Sequence, residues 1–331
     1  MQRTMAPRGG FTALGALGAV ARNSSAPVYG VLIVLFLISW AFIGSNFVTY
    51  DNVLSIVQRS VALGLVAAGQ TLAILVGSLD LSVAYLISVV AVVASAVMQG
   101  DPNRMLPAVL VVLAIGVAVG LTNGLLITKL RVNAFIATLG VGLMLRGILN
   151  AAVDNFAGSV PIEFQALGYN NLGPVPYSVL LLLGVVVFTW FLLRHTRLGH
   201  HLYAVGGGEE TARLSGVRSH RVIIAAHVLC SLAAVLTGLF IVSRLRAGAP
   251  WVGPDGAYDL ESIAAVVVGG TALAGGRGGV FGTLAGVFIL ALLDNVFNQL
   301  QVNSFVKDIV RGVIIIVAVA IYALRTRRQP A

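Results

Sequence analysis

Three charged residues stand inside stretches that otherwise suit lipid: Asp80, Arg146 and Asp294. A charge in such a run is costly and marks a solute or ion path unless a partner neutralises it. Asp80 lies in Gly77-Ser78-Leu79-Asp80-Leu81-Ser82, which interrupts the longest apolar region. Its carboxylate is placed to accept the free amide protons of a helix starting at Leu81. The alternative is a broken helix lining a solute path, with Asp80 and Ser82 facing water. Asp294 forms a stripe with Asn298 and Gln301 at i, i+4 and i+7. Asp294 and Asn298 are therefore path candidates, although Lys307 and Arg311 follow closely and an interhelical ion pair is the simpler account. Arg146 either pairs internally or extends its charge to the membrane edge.

Other chemistries are excluded by what is missing. No G-x-x-x-x-G-K-[ST] run exists to cradle nucleotide phosphates, so no cofactor is expected on this chain. The glycines from Gly275 to Gly282 lack G-x-G-x-x-G spacing and follow no βαβ pattern. His195, His200, His201, His220 and His227 show no convergent ligand spacing, so no metal is expected. A lone Cys230 excludes a disulfide framework. Gly116, Gly120 and Gly124 recur every fourth residue, as do Gly278, Gly282 and Gly286. Each set predicts a bare backbone strip on which helices approach closely.

The elements that hold these residues are read from hydropathy. The chain is 58% hydrophobic and 10% charged, with a mean hydropathy of +0.96. Such a chain is an integral membrane protein of long helices, not a barrel of alternating ten-residue strands. The net charge of +9 lies in loops and tails beside the spans, where it meets lipid and sets orientation; it does not indicate nucleic acid. Spans are predicted over 27–44, 61–77, 81–98, 106–129, 132–150, 177–193, 222–242, 260–273, 280–300 and 306–324, an all-α polytopic fold of about ten transmembrane helices. The segment 260–273 is short for a full crossing. With both termini inside, 14 of the 21 Lys and Arg are cytoplasmic and six are outside, as the positive-inside bias requires. This divides the chain into a cytoplasmic tail (1–26), a first membrane half (27–193), a cytoplasmic loop (194–221), a second half (222–324) and a cytoplasmic tail (325–331). Five spans per half orient the halves oppositely, as in inverted repeats. Arg244 and Arg246 then fall near the outer surface, where they either dock a partner or anchor a helix end among headgroups.

The loop 194–221 is the longest polar segment and carries five arginines. Gly206-Gly207-Gly208 predicts a tight turn, Glu209 and Glu210 a helix N-terminus, Thr211-Ala212-Arg213-Leu214-Ser215 about two turns, and Gly216 a C′ stop. GGGEETARLSGV resembles the coupling-helix segment in permeases of ribose-type ABC sugar importers. Further likeness lies in GSLDLSVA (77–84), NAFIATLGVGLMLRG (133–147) and YDLESIAAVVVGGTALAGGRGGVFGTLAGV (258–287), and the resemblance spans about Pro27 to Leu324. The first departs from the family's G-G-x-D-L-S-x-G at Ser78 and Ala84, each adding a side chain at a close contact. The resemblance implies a type II ABC importer-like permease in a bacterial inner membrane that moves a monosaccharide by alternating access. It implies a second permease chain, identical or paralogous, a cytoplasmic ATPase that holds the ATP and Mg, and a periplasmic sugar-binding protein. It assigns the ATPase contact to Glu209–Gly216 and carries over no sugar-contact residue. An ion- or proton-coupled carrier and a non-transporting scaffold are the competing readings. The carrier would need Asp80 and Asp294 as coupling acids.

Overall fold

The structure, a computed structural model, describes residues 26–303, 305–314 and 316. Its helices in chain order are α1 (Ala26–Ile43), α2 (Tyr50–Leu75), α3 (Val83–Met98), α4 (Met105–Thr128), α5 (Ala134–Ala152), α6 (Ile162–Tyr169), α7 (Tyr177–His195), α8 (Arg197–Gly207), α9 (Glu209–Leu214), α10 (Ser219–Leu245), α11 (Val252–Asp255), α12 (Tyr258–Val268) and α13 (Val280–Gln299). Residues 305–314 are also helical. A two-residue pair, β1 (Asn171–Leu172) with β2 (Val175–Pro176), closes the turn before α7 in antiparallel register. Short polar side chains start several helices by accepting a first-turn amide: Thr49 from Asn52, Asn133 from Phe135 and Thr196 from Gly199.

Seven helices among the described residues are long and apolar enough to cross a membrane. The difference from ten has physical reasons. Helix α3 has 16 residues and is enclosed by neighbours, so it need not match lipid thickness alone. The last predicted span, 306–324, is described only at residues 306–314 and 316. The segment 260–273 forms a helix of only 11 residues, α12, ending at Val268. What precedes it is an irregular descent. Gly248 pairs with Ala157, and the Gly253 amide donates to Ser88 Oγ at 2.9 Å. Ser88 lies about 15 Å along α3 from its Met98 end. The segment 246–257, irregular except for the single turn α11, therefore reaches into the bundle, and α12 continues from there. Such backbone is tolerated at membrane depth where protein covers it or where it lines a cavity.

The core is organised on α10, whose middle is buried against α2, α3 and α4. The strip Gly116, Gly120, Gly124 of α4 lies on it: a Cβ on Gly120 would stand 2.5 Å from the Val228 Cα, and one on Gly124 2.7 Å from the Ile224 Cα. The second predicted strip is corrected at one position. Gly278 precedes α13 and has φ +127°, so it belongs to a turn against Thr271 and not to a helical face. Gly282 and Gly286 do face α12, where Ala265 and Gly269 approach them.

Candidate functional site

Two helices end in the same way. Helix α2 closes with Gly77 at φ +76°, the Gly77 amide donating to Ile74 O at 2.9 Å and Ser78 to Ala73 O at 3.0 Å. Helix α12 closes with Gly270 at φ +87°, Gly270 donating to Val267 O at 2.9 Å and Thr271 to Val266 O at 3.1 Å. Both are Schellman stops, which need the left-handed conformation glycine adopts without a Cβ clash. After each stop the chain runs irregularly and re-enters a helix, α3 or α13. The two breaks touch. The Gly276 amide donates to Leu75 O at 3.0 Å, a Cβ on Gly275 would stand 2.8 Å from Gly77 N, and Thr71 and Thr283 share a hydroxyl hydrogen bond of 2.8 Å.

A third backbone enters this junction from the polar loop. Gly206 of α8 lies so close to Leu75 O that a Cβ there would collide with it, and such a Cβ would stand 2.5 Å from Gly276 N. Tyr203, one turn earlier, donates to Gly278 O at 2.9 Å. The expectation of a turn at Gly206-Gly207-Gly208 is thus corrected: α8 continues through Gly207, and Gly208 alone, in extended backbone, makes the corner. Gly206 serves close approach.

Helix α9 follows that corner. Ala212 is buried beneath it, whereas Leu214 is 80% exposed. Gly216, at φ +85°, is the C′ residue as the sequence predicts, with Gly216 donating to Arg213 O and Val217 to Ala212 O, both at 3.0 Å. Arg213 grips Glu210 at 2.6 Å on the exposed rim. Its hydrogen bond and charge hold the Glu210 carboxyl below the usual range. Helix α9 therefore presents one bare leucine beside a fixed pair of opposite charges, on a segment whose other end is locked into the junction.

Behind the α2–α3 break lies a sealed polar network. Asp80 is fully buried. Its Oδ1 accepts from the Ser82 amide at 3.0 Å and the Ser82 hydroxyl at 2.5 Å, and Asn123 Nδ2 reaches both carboxylate oxygens at 3.3 Å. His227 Nδ1 lies 3.3 Å from Oδ2, while its Nε2 is 2.8 Å from Ser78 Oγ. The role predicted for Asp80 as a cap on a helix from Leu81 is corrected. The helix starts at Val83 with no side-chain cap, because the carboxylate turns inward to bind the break itself. Neither Asp80 nor Ser82 faces solvent. Ser78, where this chain departs from the family's glycine, supplies the hydroxyl for His227. The sequence alone left Asn123 and His227 unassigned; polar side chains in apolar spans were the available signal.

Asp294 and Asn298 share no hydrogen bond with this network; they line a cavity of about 280 Å³ with Arg59, Glu261, Lys307 and Arg311. Arg311 bonds Asp294 at 2.8 and 2.9 Å and Glu261 at 3.1 Å, and Lys307 donates to Asn298 at 2.6 Å. The interhelical ion pair is what the fold contains; Gln301 lies beyond the end of α13. Arg244 and Arg246 are exposed at the end of α10, with guanidinium groups 6.0 and 5.0 Å from the Tyr169 ring centre. No group of three or more His, Cys, Asp or Glu able to hold a metal occurs among the described residues.

A family model described as the permease component of branched-chain amino acid transport systems matches residues 52–319. The chain is similar to the ribose import permease protein RbsC of Escherichia coli (strain K12), 39% identical over 281 residues that cover 83% of this chain and 87% of that protein. It is 36% identical to RbsC of Bacillus subtilis (strain 168), covering 88% of this chain and 90% of that one. To the L-arabinose transport system permease protein AraH of E. coli (strain K12) it is 34% identical, covering 88% and 89%. No solved structure matches.

Proposed function

The chain belongs to the ribose-type ABC sugar permease family, and on that premise we propose that it carries a pentose-like monosaccharide across the bacterial inner membrane by alternating access, driven through α9. As a permease component it is a transport subunit, working with an ATPase and a solute-binding protein. The observation that carries the proposal is the continuity from the bare Leu214 on α9, through α8, to the junction where Gly206 meets Leu75 and Gly276. A displacement of α9 by a partner reaches both helix breaks through main-chain contacts, with no flexible side chain between.

In this reading the segment 194–221 is cytoplasmic, as are 1–26 and 325–331, and the membrane halves are 27–193 and 222–324. ATP and Mg are held by the partner ATPase. Two permease chains, identical or paralogous, enclose the solute. The exposed Arg244 and Arg246 face outward, where an acidic patch of the binding protein meets them. The test is made on the reconstituted complex. Leu214 is the apolar anchor and Glu209 a rim charge, and anchors carry most interface energy. Leu214→Asp is expected to lose ATPase co-purification and ATP-dependent uptake, while Glu209→Gln keeps both. Retention of the ATPase and full uptake by Leu214→Asp removes α9 from the coupling role. Uptake that needs no ATPase at all replaces the importer with a carrier.

A further inference from the structure

A second cavity, of about 480 Å³, opens between α3, α5 and the irregular segment that precedes α12. Its volume lies in the range of small-molecule sites. Its polar and aromatic lining is Tyr85, Arg146, Asn150, Asp154, Trp251 and Asp255. Three discontinuities meet here. Tyr85 stands at the start of α3, just past the α2–α3 break. Asp154 follows the end of α5. Trp251 and Asp255 sit on and beside α11, which the Gly253–Ser88 hydrogen bond holds well below the Met98 end of α3. Solute sites in transporters form where helices are interrupted within the membrane.

The chemistry of the lining is selective. Among the described residues, the side chains of Tyr85, Arg146, Asn150, Asp154 and Asp255 make no hydrogen bond or ion pair within the chain. Arg146, Asn150, Asp154 and Asp255 are exposed at this cavity, so their donors and acceptors are open to water or to a hydroxyl-bearing ligand. Trp251 is held edge-to-face by Phe156, with ring centres 5.1 Å apart at 74°, which leaves it a fixed apolar surface. Tyr85 packs where Gly142 of α5 leaves room for its ring. Two carboxylates against one guanidinium disfavour an anionic headgroup or a sugar phosphate. The guanidinium equally disfavours a simple cation.

We propose that this cavity is a solute-contact site for a neutral, polyhydroxylated ligand of monosaccharide size, with Trp251 as the platform for its C–H face and Arg146, Asn150 and Asp154 bonding its hydroxyls. The site rests on the importer reading and names its specificity-determining residues. It lies at the outward end of the path, apart from the junction at Leu75. Because the native Cys230 is fully buried, single-cysteine labelling can report on it.

The test uses the complete complex with its ATPase and binding protein in proteoliposomes. An Asn150→Cys variant is expected to react with a membrane-impermeant maleimide from the binding-protein side, and labelling is expected to stop uptake of D-ribose and L-arabinose. Trp251→Ala is expected to lower uptake per ATP hydrolysed at least about fivefold, the loss of one stacked contact, while Trp251→Phe restores most of it. ATPase stimulation by the loaded binding protein should survive in all three, which a merely unfolded variant would not show. An unreactive Asn150→Cys, or wild-type uptake of both sugars by Trp251→Ala and labelled Asn150→Cys, overturns the site and leaves the importer intact. If the unmodified complex hydrolyses ATP yet moves neither sugar, the pentose importer reading and the site fall together.

Discussion

His227 bridges the two sides of the buried network, touching Asp80 with one ring nitrogen and Ser78 with the other. Its removal leaves a buried carboxylate and a buried hydroxyl short of a partner, each such loss costing about 1–3 kcal/mol. His227→Ala is accordingly expected to lower the melting temperature of the detergent-solubilised protein, and His227→Gln, which keeps one polar contact, to lower it less. Equal melting temperatures for all three forms would show that the network does not hold the break. Asp80 was visible in the sequence because it interrupts an apolar run. Its partner was not, because His227 is 147 positions away, and nothing local distinguishes a histidine that pairs across a bundle from one that faces a neighbour. Asp294 was more legible: the cation that neutralises it, Arg311, follows 17 positions on.

At the scale of elements, glycine carries two different duties that its spacing does not separate. The strip on α4 has a helical period and was readable as a packing face. Gly120→Leu should overpack that face by about 1–3 kcal/mol, seen as reduced abundance in membranes and a lower melting temperature; unaltered abundance and melting would mean that α4 and α10 separate freely. Gly206 looked like part of a turn, because three consecutive glycines usually are one; only the approach of Leu75 and Gly276 reveals its duty. Gly206→Val is expected to lift α8 from the junction while leaving α9 intact. The variant should therefore still co-purify with the ATPase yet lose uptake. Full uptake by Gly206→Val would show that force does not pass through this contact. The short helix α12 was anticipated as a weak span, but its irregular lead-in was not, since residues 246–257 have no period to read.

Over the whole molecule, the asymmetry of Lys and Arg gives a direct forecast. Ser159→Cys should be labelled from outside the cell and Ser215→Cys only after permeabilisation, both positions being exposed. Labelling of Ser215→Cys in intact spheroplasts would invert the orientation. Replacing Arg244 and Arg246 with Gln should weaken uptake chiefly at low binding-protein concentration, as rim charges act mainly on association rate; an unshifted concentration dependence removes their docking role. The two helix breaks are alike in backbone form, Schellman stops at Gly77 and Gly270, and hardly in side chains. That property has a wider consequence. In the proposed mechanism the Gly206–Leu75–Gly276 joint between the loop and the helix breaks is main-chain contact, so that contact would hold no information about what is carried. Cargo preference can be rewritten at the solute-facing walls without retuning the engine, and one motor can serve many freights.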